Sequence, residues 1–257
     1  MLEQIKTFVL DMDGTIYLGD QLFPYTMDFL RKVRRTGKDF CFFTNNSSKN
    51  RAAYLQKLSR MGIEIETSQM LISNEVILKW LLEHRPEESA YVVGTPALLE
   101  DFRAAGVPLA ERDADYVVLG FDTTLTYEKL VTACDLIRGG APVYGVNPDL
   151  NCPTETGFIP DCGSISALIK ASTGVQCEFF GKPSKHTLRY LLQATGRKPE
   201  ELAVVGDRLY TDIAVAAGTD VTSILVLSGE TTPQMLEKSE IQPDLVVEHI
   251  GKLAELL

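Results

Sequence analysis

One short stretch constrains the fold more than any other: an apolar run that ends in two carboxylates. Residues Ile5 to Leu10 are apolar and partly β-branched, a pattern that predicts a buried strand of a parallel sheet. The sequence DMDGT, residues 11–15, follows directly. Ligands of open α/β sheets bind just beyond the carboxyl ends of strands. We therefore expect Asp11 and Asp13 on a loop at such an edge, where Gly14 permits a tight turn.

The two aspartates need a partner of opposite charge. Carboxylates this close repel each other unless a cation or a shared proton relieves them. Mg²⁺ meets this need, because proteins usually hold it by one or two carboxylates together with substrate phosphate. Taken alone, the stretch is also compatible with a turn that carries solvated aspartates.

Apolar runs and helical patterns alternate along the whole chain. This alternation predicts βαβ units and a doubly wound parallel-sheet core of the α/β class. Strands are expected at residues 5–10, 39–43, 90–94, 116–120, 142–146, 202–207, 222–227 and 245–247. A glycine- and proline-rich loop is expected at 147–163, and a helix of small residues from Asp212 to Gly218. The pattern restarts in mid-chain, so we expect a catalytic core at 1–77 and 180–257 and an inserted α/β domain at 78–179.

Four predicted strand ends carry polar side chains. These are Asp11 and Asp13, Thr44 and Asn45, Lys182, and Asp207 and Asp212. In one parallel sheet with right-handed crossovers, all four ends lie at the same edge. We expect the carboxylates to share one Mg²⁺, the lysine and the metal to neutralise a phosphate, and the threonine and asparagine to donate to its oxygens. For residues 44–48, capping of the next helix is an alternative that does not exclude this role.

Composition limits the partners. Hydrophobic residues make up 45% and charged residues 23% of the 257 residues, close to the average of globular proteins, which argues against disorder. The net charge of −10 argues against a non-specific nucleic-acid or anionic-membrane surface, because both need clustered Lys and Arg. An anionic substrate stays compatible, since a local cation can dominate a site.

Cysteine usage and hydropathy indicate a compartment. The five cysteines are odd in number and form no CxxC pair, so we expect free thiols in a reducing environment. We expect no signal peptide, because the sequence enters a predicted strand almost at once, and no apolar stretch approaches the roughly 20 residues of a membrane span. A cytoplasmic protein is expected.

The order of the motifs resembles the haloacid dehalogenase (HAD) superfamily of phosphatases. DxDGT is followed by TN, then by a lysine, then by GDx4D, and a long insertion separates the second motif from the third. In that superfamily, such an insertion is a cap domain. The segments TNNSS, GVNPD, GKPS and GDRLYTDI are similar to the NagD-type subgroup. That subgroup contains 4-nitrophenyl phosphatases, pyridoxal phosphate phosphatases and nucleotide or sugar-phosphate phosphatases.

The resemblance implies a role for each motif. Asp11 is implied as the nucleophile that forms an aspartyl-phosphate. Asp13 is implied as the acid and base, with its backbone carbonyl at the metal. The implied metal ligands are Asp11, Asp13, Asp207 and Asp212, the last of these directly or through an intervening group. The implied phosphate ligands are Thr44, Asn45 and Lys182.

Two residues of the inserted domain remain open to two interpretations. Asn147 and Asp149 close a predicted strand, and they either read the substrate or simply form an Asn-Pro-Asp turn. The expected partner is a small phosphorylated metabolite, and the cap surface is compatible with a homodimer.

Other functions use a similar set of residues. A phosphotransferase keeps all of them and differs only in the group that accepts the phosphoryl. A non-catalytic protein that binds a phosphorylated metabolite is a further alternative, although every catalytic position holds a competent residue. A haloacid dehalogenase needs neither the acid at position 13 nor a metal, so Asp13, Asp207 and Asp212 argue against it.

Overall fold

The computed structural model describes residues 2–154 and 156–257. The chain folds into two compact units. The first unit holds Met1–Thr44, Leu55–Leu71 and Thr187–Leu257, and the second holds Asn45–Tyr54 and Ile72–His186.

The strands are short and mostly buried. They are β1 (Thr7–Leu10), β2 (Tyr17–Leu18), β3 (Gln21–Leu22), β4 (Asp39–Thr44), β5 (Met70–Ile72), β6 (Ala90–Val93), β7 (Tyr116–Leu119), β8 (Val143–Gly145), β9 (Asn151–Thr154), β10 (Gly157–Pro160), β11 (Glu178–Phe179), β12 (Leu202–Gly206), β13 (Thr222–Val226) and β14 (Leu245–Val247). The α-helices are α1 (Thr26–Arg35), α2 (Arg51–Arg60), α3 (Ser73–His84), α4 (Pro96–Ala104), α5 (Tyr127–Arg138), α6 (Cys162–Thr173), α7 (Lys185–Thr195), α8 (Pro233–Lys238) and α9 (Ile250–Glu255).

The first unit is built on a six-stranded sheet of the described strands, in the order β14-β13-β12-β1-β4-β5. The pairs from β14 to β4 are parallel. All four residues of β1 are buried, as expected for a central strand covered on both faces. Helix α1 covers β1 through its apolar stripe, where the Phe29 ring packs edge-on against Phe8 at 6.0 Å between centroids. The predicted α/β core with a parallel sheet is confirmed.

The second unit has its own parallel sheet, in the order β11-β8-β7-β6. Its buried core joins these strands to α5 and α6, with Val117, Leu119, Ile137 and Ile165 among the buried side chains. The restart of the strand–helix pattern in mid-chain therefore predicted a real second sheet.

An antiparallel hairpin of β9 and β10 occupies part of the predicted loop 147–163. The prediction of an irregular loop was wrong there. Pro153, Gly157 and Pro160 lie within these two strands, and such residues are usual only in edge strands. Every residue of β10 is exposed, so the hairpin lacks the apolar signal that marks a buried strand.

Two further predictions need correction. Lys182 follows β11, which pairs with β8 of the smaller sheet and not with the sheet that contains β1. The expectation that all four polar strand ends share one sheet edge was therefore wrong for Lys182. Asp212 does not begin a regular helix: it lies in a π-helical turn, Leu209–Ile213, followed by a 3₁₀ turn, Ala214–Ala216.

All five cysteines lie in described residues, and none of them is in a disulfide. Within residues 2–154 and 156–257, no helix combines the length and the apolar character needed to cross a membrane.

Candidate active site

The register of the large sheet brings three polar strand ends to one edge. Leu10 of β1 is level with Phe42 of β4 on one side and with Val205 of β12 on the other. Thr44 and Asp207 each lie two residues beyond those partners, at the end of the sheet where β1 runs into its DMDGT loop.

Three carboxylates meet at this edge. Asp11, Asp207 and Asp212 each offer an oxygen, and these oxygens lie within 4.8 Å of one another. Asp207 and Asp212 are buried, and Asp11 is half-buried. The sequence prediction that these residues converge agrees with this geometry.

The Asp207 side chain is tightly enclosed. Its Oδ2 accepts a hydrogen bond from the backbone N–H of Glu230 at 2.6 Å. A Cβ on Gly14 would lie 2.6 Å from that oxygen, and one on Gly229 would be closer still, so both positions require glycine. Ser228 closes the enclosure by donating its hydroxyl to the Gly14 carbonyl at 2.8 Å.

The electrostatics of Asp207 favour a cation beside it. Burial, and next the charge of Asp212, raise the pKa of Asp207 above its usual range. Its buried Oδ1 has no hydrogen-bond partner among the described residues. A buried carboxylate oxygen that lacks a donor is costly. A divalent cation would reduce the repulsion between Asp207 and Asp212 and would give Asp207 Oδ1 a partner. Because Mg²⁺ prefers oxygen ligands, these residues fit Mg²⁺.

The π-helical turn places Asp212 beside Asp207. Its Oδ2 accepts from the backbone N–H of Arg208 at 3.0 Å. A Cβ on Gly206 would collide with the Asp212 carboxylate, so this glycine is what lets the side chain fold back over the end of β12. The Arg208 guanidinium pairs with Glu230, with Nε 2.9 Å from Oε2.

Asp13 lies half-buried on the turn between β1 and β2. Its Oδ2 accepts a hydrogen bond from the Tyr17 hydroxyl at 3.2 Å. The turn is closed by the Gly14 N–H, which donates to the Tyr17 carbonyl at 2.8 Å, and Gly14 has a φ of +86°.

In the second unit, the Asn45 side chain grips the backbone of Lys182. Asn45 Oδ1 accepts from the Lys182 N–H at 2.8 Å, and Asn45 Nδ2 donates to the Lys182 carbonyl at 3.0 Å. Both residues are buried, with Asn45 7% and Lys182 2% exposed. The side-chain amide of Asn45 therefore fixes the backbone of the loop that carries Lys182.

Asn147 and Asp149 belong to the same network. Asn147 Nδ2 donates to the Asn45 carbonyl at 2.6 Å, and Asp149 Oδ2 accepts from Asn45 Nδ2 at 2.9 Å. Both side chains are buried. A role of these two residues in reading the substrate stays a prediction.

Two parts of the site were missed by the sequence reasoning. No role was predicted for Tyr17, or for the segment Ser228–Thr231 that follows the predicted strand 222–227. The second could have been found by the signal that revealed the others, because polar residues follow β13 where that strand ends. The contact of Tyr17 with Asp13 depends on a hairpin that the sequence pattern did not indicate.

We next compared the chain with models of known protein families and with known relatives. A family model described as haloacid dehalogenase-like hydrolase matches residues 8–108, and one described as HAD-hydrolase-like matches residues 179–253. An acid sugar phosphatase of Staphylococcus saprophyticus is 31% identical, with 100% of this chain and 99% of that protein covered. The chain belongs to the haloacid dehalogenase-like hydrolases.

Solved structures of this superfamily are also similar. The 4-nitrophenylphosphatase of Thermotoga maritima is 43% identical with a TM-score of 0.95, covering 99% of this chain and 98% of that one. A glycerol phosphate phosphatase of Mycobacterium tuberculosis in complex with calcium is 27% identical with a TM-score of 0.90, covering 99% of this chain and 77% of that one. The prediction of a HAD-type phosphatase of the 4-nitrophenylphosphatase subgroup is confirmed.

Proposed function

We propose that this HAD hydrolase is a Mg²⁺-dependent phosphomonoesterase that acts on small phosphorylated metabolites through an aspartyl-phosphate. The observation that carries the proposal is the convergence of Asp11, Asp207 and Asp212, whose ligand oxygens lie within 4.8 Å of one another. When bound there, Mg²⁺ would neutralise charge on the phosphoryl oxygens and hold them in place. Asp11, Asp207 and Asp212 would hold the ion, together with the Asp13 carbonyl.

In the first step, a carboxylate oxygen of Asp11 attacks phosphorus as the bond to the leaving oxygen breaks. Asp13 gives its proton to that oxygen, so the product leaves as an alcohol. The phosphoryl group is then bonded to Asp11, and Asp13 is a carboxylate.

In the second step, a water molecule attacks the phosphorus of the aspartyl-phosphate. Asp13 takes a proton from this water, and the bond between phosphorus and the Asp11 oxygen breaks. Inorganic phosphate leaves, and both aspartates return to their starting protonation states. One residue serves as acid and then as base, as reversal of the same proton transfer requires.

Thr44, Asn45 and Lys182 are proposed to form the phosphate site. The Thr44 hydroxyl and the Lys182 ammonium would donate to the phosphoryl oxygens and stabilise the loose transition state. Asn45 would contribute by fixing the lysine loop, which is supported by its two hydrogen bonds to the Lys182 backbone.

The inserted residues 78–179 are proposed to be a cap that limits the substrate to small molecules. Sugar phosphates, nucleotides, pyridoxal phosphate and 4-nitrophenyl phosphate all belong to the proposed substrate class. The names of two similar proteins, an acid sugar phosphatase and a 4-nitrophenylphosphatase, support the first and the last of these. Action in the cytoplasm is in keeping with the free thiols, and a homodimer is part of the proposal.

Replacement of the nucleophile tests the function directly. Turnover of 4-nitrophenyl phosphate is measured with Mg²⁺ and with EDTA, for the wild type, for Asp11→Asn, and for Asp135→Asn as a control at an exposed carboxylate of α5. We expect activity that requires Mg²⁺, that is lost in Asp11→Asn and that is kept in the control. If Asp11→Asn keeps activity within about tenfold of the wild type, its activation free energy has risen by no more than about 1.4 kcal/mol. That result would remove the nucleophile assignment. A wild type that binds but never turns over phosphate esters would instead indicate a binding protein.

A further inference from the structure

The side chain that holds Asp13 is a buried tyrosine. Tyr17 is 0% exposed, and its hydroxyl lies 3.2 Å from Asp13 Oδ2. This distance is slightly long for a bond between two oxygens, as is common for catalytic groups before substrate binds. An isolated β-bridge between Asp13 and Tyr17 fixes the two backbones against each other. Tyr17 itself lies in β2, which pairs with β3, so the hydroxyl approaches Asp13 from a hydrogen-bonded hairpin.

A lysine packs against the face of the Tyr17 ring. Lys57 of α2 places its Nζ 3.8 Å from the centroid of the Tyr17 ring, and Lys57 is only 8% exposed. A cation over an aromatic face is attracted to it, more strongly where water is excluded. Asp20 lies 3.9 Å from the same Nζ and is largely exposed. Lys57 thus helps to lock the orientation of the ring.

We infer that Tyr17 is a positioning residue for Asp13, which it orients for protonation of the leaving group, with Lys57 as its support. The inference rests on the proposed role of Asp13 as the acid. The hydrogen bond that Tyr17 donates to Oδ2 restricts rotation of the Asp13 carboxyl group about its Cβ–Cγ bond. A phenol hydroxyl both donates and accepts, so Tyr17 can hold the group as a carboxylate and as an acid. Orientation within a narrow range is what a catalytic acid needs.

The test uses two esters that differ in the basicity of the leaving group and little in shape. Phenyl phosphate releases a basic phenolate that needs a proton, whereas 4-nitrophenyl phosphate releases a weakly basic one. We compare kcat/KM, which reports the step in which the leaving group departs. For Tyr17→Phe, we expect kcat/KM to fall about tenfold with phenyl phosphate, a part of the roughly 10²–10⁴-fold that a positioned acid supplies. With 4-nitrophenyl phosphate, we expect a change within about twofold, because little of that acid catalysis is then needed.

The control is Tyr116→Phe, which removes one hydroxyl from another tyrosine that is 0% exposed. It should leave the ratio between the two esters unchanged. Lys57→Met keeps an unbranched stem without the charge, and it should shift the ratio in the same direction as Tyr17→Phe but by less.

The outcomes separate the inference from the proposed function. Equal loss on both esters in Tyr17→Phe, or no loss on either, overturns the positioning role while the phosphatase assignment stands. A wild type inactive on both esters defeats the proposed function first. An unchanged ratio in Lys57→Met, beside a shifted one in Tyr17→Phe, removes the lysine from the inference.

Discussion

At the scale of single residues, Asp207 carries an electrostatic cost that a cation would remove. In Asp207→Asn, the amide oxygen can still accept from the Glu230 N–H, while the repulsion with Asp212 is gone. We therefore expect the metal-free variant to melt at a higher temperature than the metal-free wild type, although it loses Mg²⁺-dependent activity. A rise of about 2–4 °C corresponds to roughly 1 kcal/mol in a protein of this size. Calorimetry in EDTA is the measurement, and a lower Tm would contradict the prediction.

The same pair predicts a dependence on pH. The pKa of Asp207 is raised in the folded protein, so the folded state holds a proton that the unfolded state has already released. This contribution to stability is present below the ordinary aspartate pKa of about 4 and is lost as the pH rises through the raised value. The Tm advantage of metal-free Asp207→Asn over the wild type should therefore grow with pH above about 4. A series of melting curves in EDTA measures it, and an advantage that shrinks with pH would show the opposite sign.

Tyr116 buries a hydroxyl that has no hydrogen-bond partner among the described residues. Burial, and next the charge of Glu88, raise the pKa of this phenol to about 12, so it stays neutral. Tyr116→Phe removes a buried hydroxyl that makes no hydrogen bond among the described residues. We therefore expect the free energy of unfolding to stay equal or to rise by about 1 kcal/mol. Urea unfolding is the measurement. A loss of more than about 1 kcal/mol would reveal a partner for the hydroxyl.

Single residues also show which parts of the site could be predicted from the sequence. Asp11, Asp207 and their companion Asp212 could be placed together because each follows a recognisable strand end. The Asn45 amide was expected on phosphate, but its side chain binds the Lys182 backbone, a partner 137 positions along the chain. Residue type predicts that a group can donate a hydrogen bond, whereas only the fold decides which acceptor it meets.

At the scale of elements, strand β8 shows how closely the smaller sheet is packed. A Cβ on Gly145 would collide with the ring of Phe179 on the neighbouring β11. Gly145→Ala should cost about 1–3 kcal/mol of unfolding free energy, the usual effect of overpacking. If Lys182 binds phosphate as proposed, the variant should also weaken phosphate affinity, because Phe179 lies three residues before Lys182. Urea unfolding and phosphate inhibition of turnover are the measurements.

The double variant Gly145→Ala with Phe179→Leu serves as the control. The smaller leucine should give back part of the lost stability if the collision with the ring is the cause. Equal stability of the single and double variants would assign the loss to the strand backbone instead.

The elements that sequence predicted best are those that are apolar along their whole length. Strands β1 and β12 are buried throughout, and β4 is buried from Phe40 onward, so their composition alone marked them. Strand β11 has only two residues, Glu178 and Phe179, and so short a segment carries no pattern that assigns it to one sheet, which is why Lys182 was assigned to the wrong one. The exposed hairpin β9–β10 and the π-helical turn carry no periodic signal. Their geometry comes from a paired edge and from the missing Cβ of Gly206.

At the scale of the whole molecule, metal binding should raise the free energy of unfolding. Mg²⁺ that binds only the folded state adds about 2.7 kcal/mol at a concentration one hundred times its Kd. We expect the Tm of the wild type to rise with added Mg²⁺ and to return to its starting value with EDTA. Asp207→Asn is the matched control and should show little rise. An equal response of the two proteins would place the metal elsewhere.

The interleaving of the two units along the chain bears on how the protein is made. The second unit ends at His186, while β12, which carries Asp207 and lies beside β1, begins only at Leu202. During synthesis on the ribosome, the smaller sheet can thus be complete while one edge of β1 still waits for its neighbour. Catalytic competence arrives only after β12 has been translated, and a nascent chain halted before that point would expose a bare apolar strand edge to chaperones.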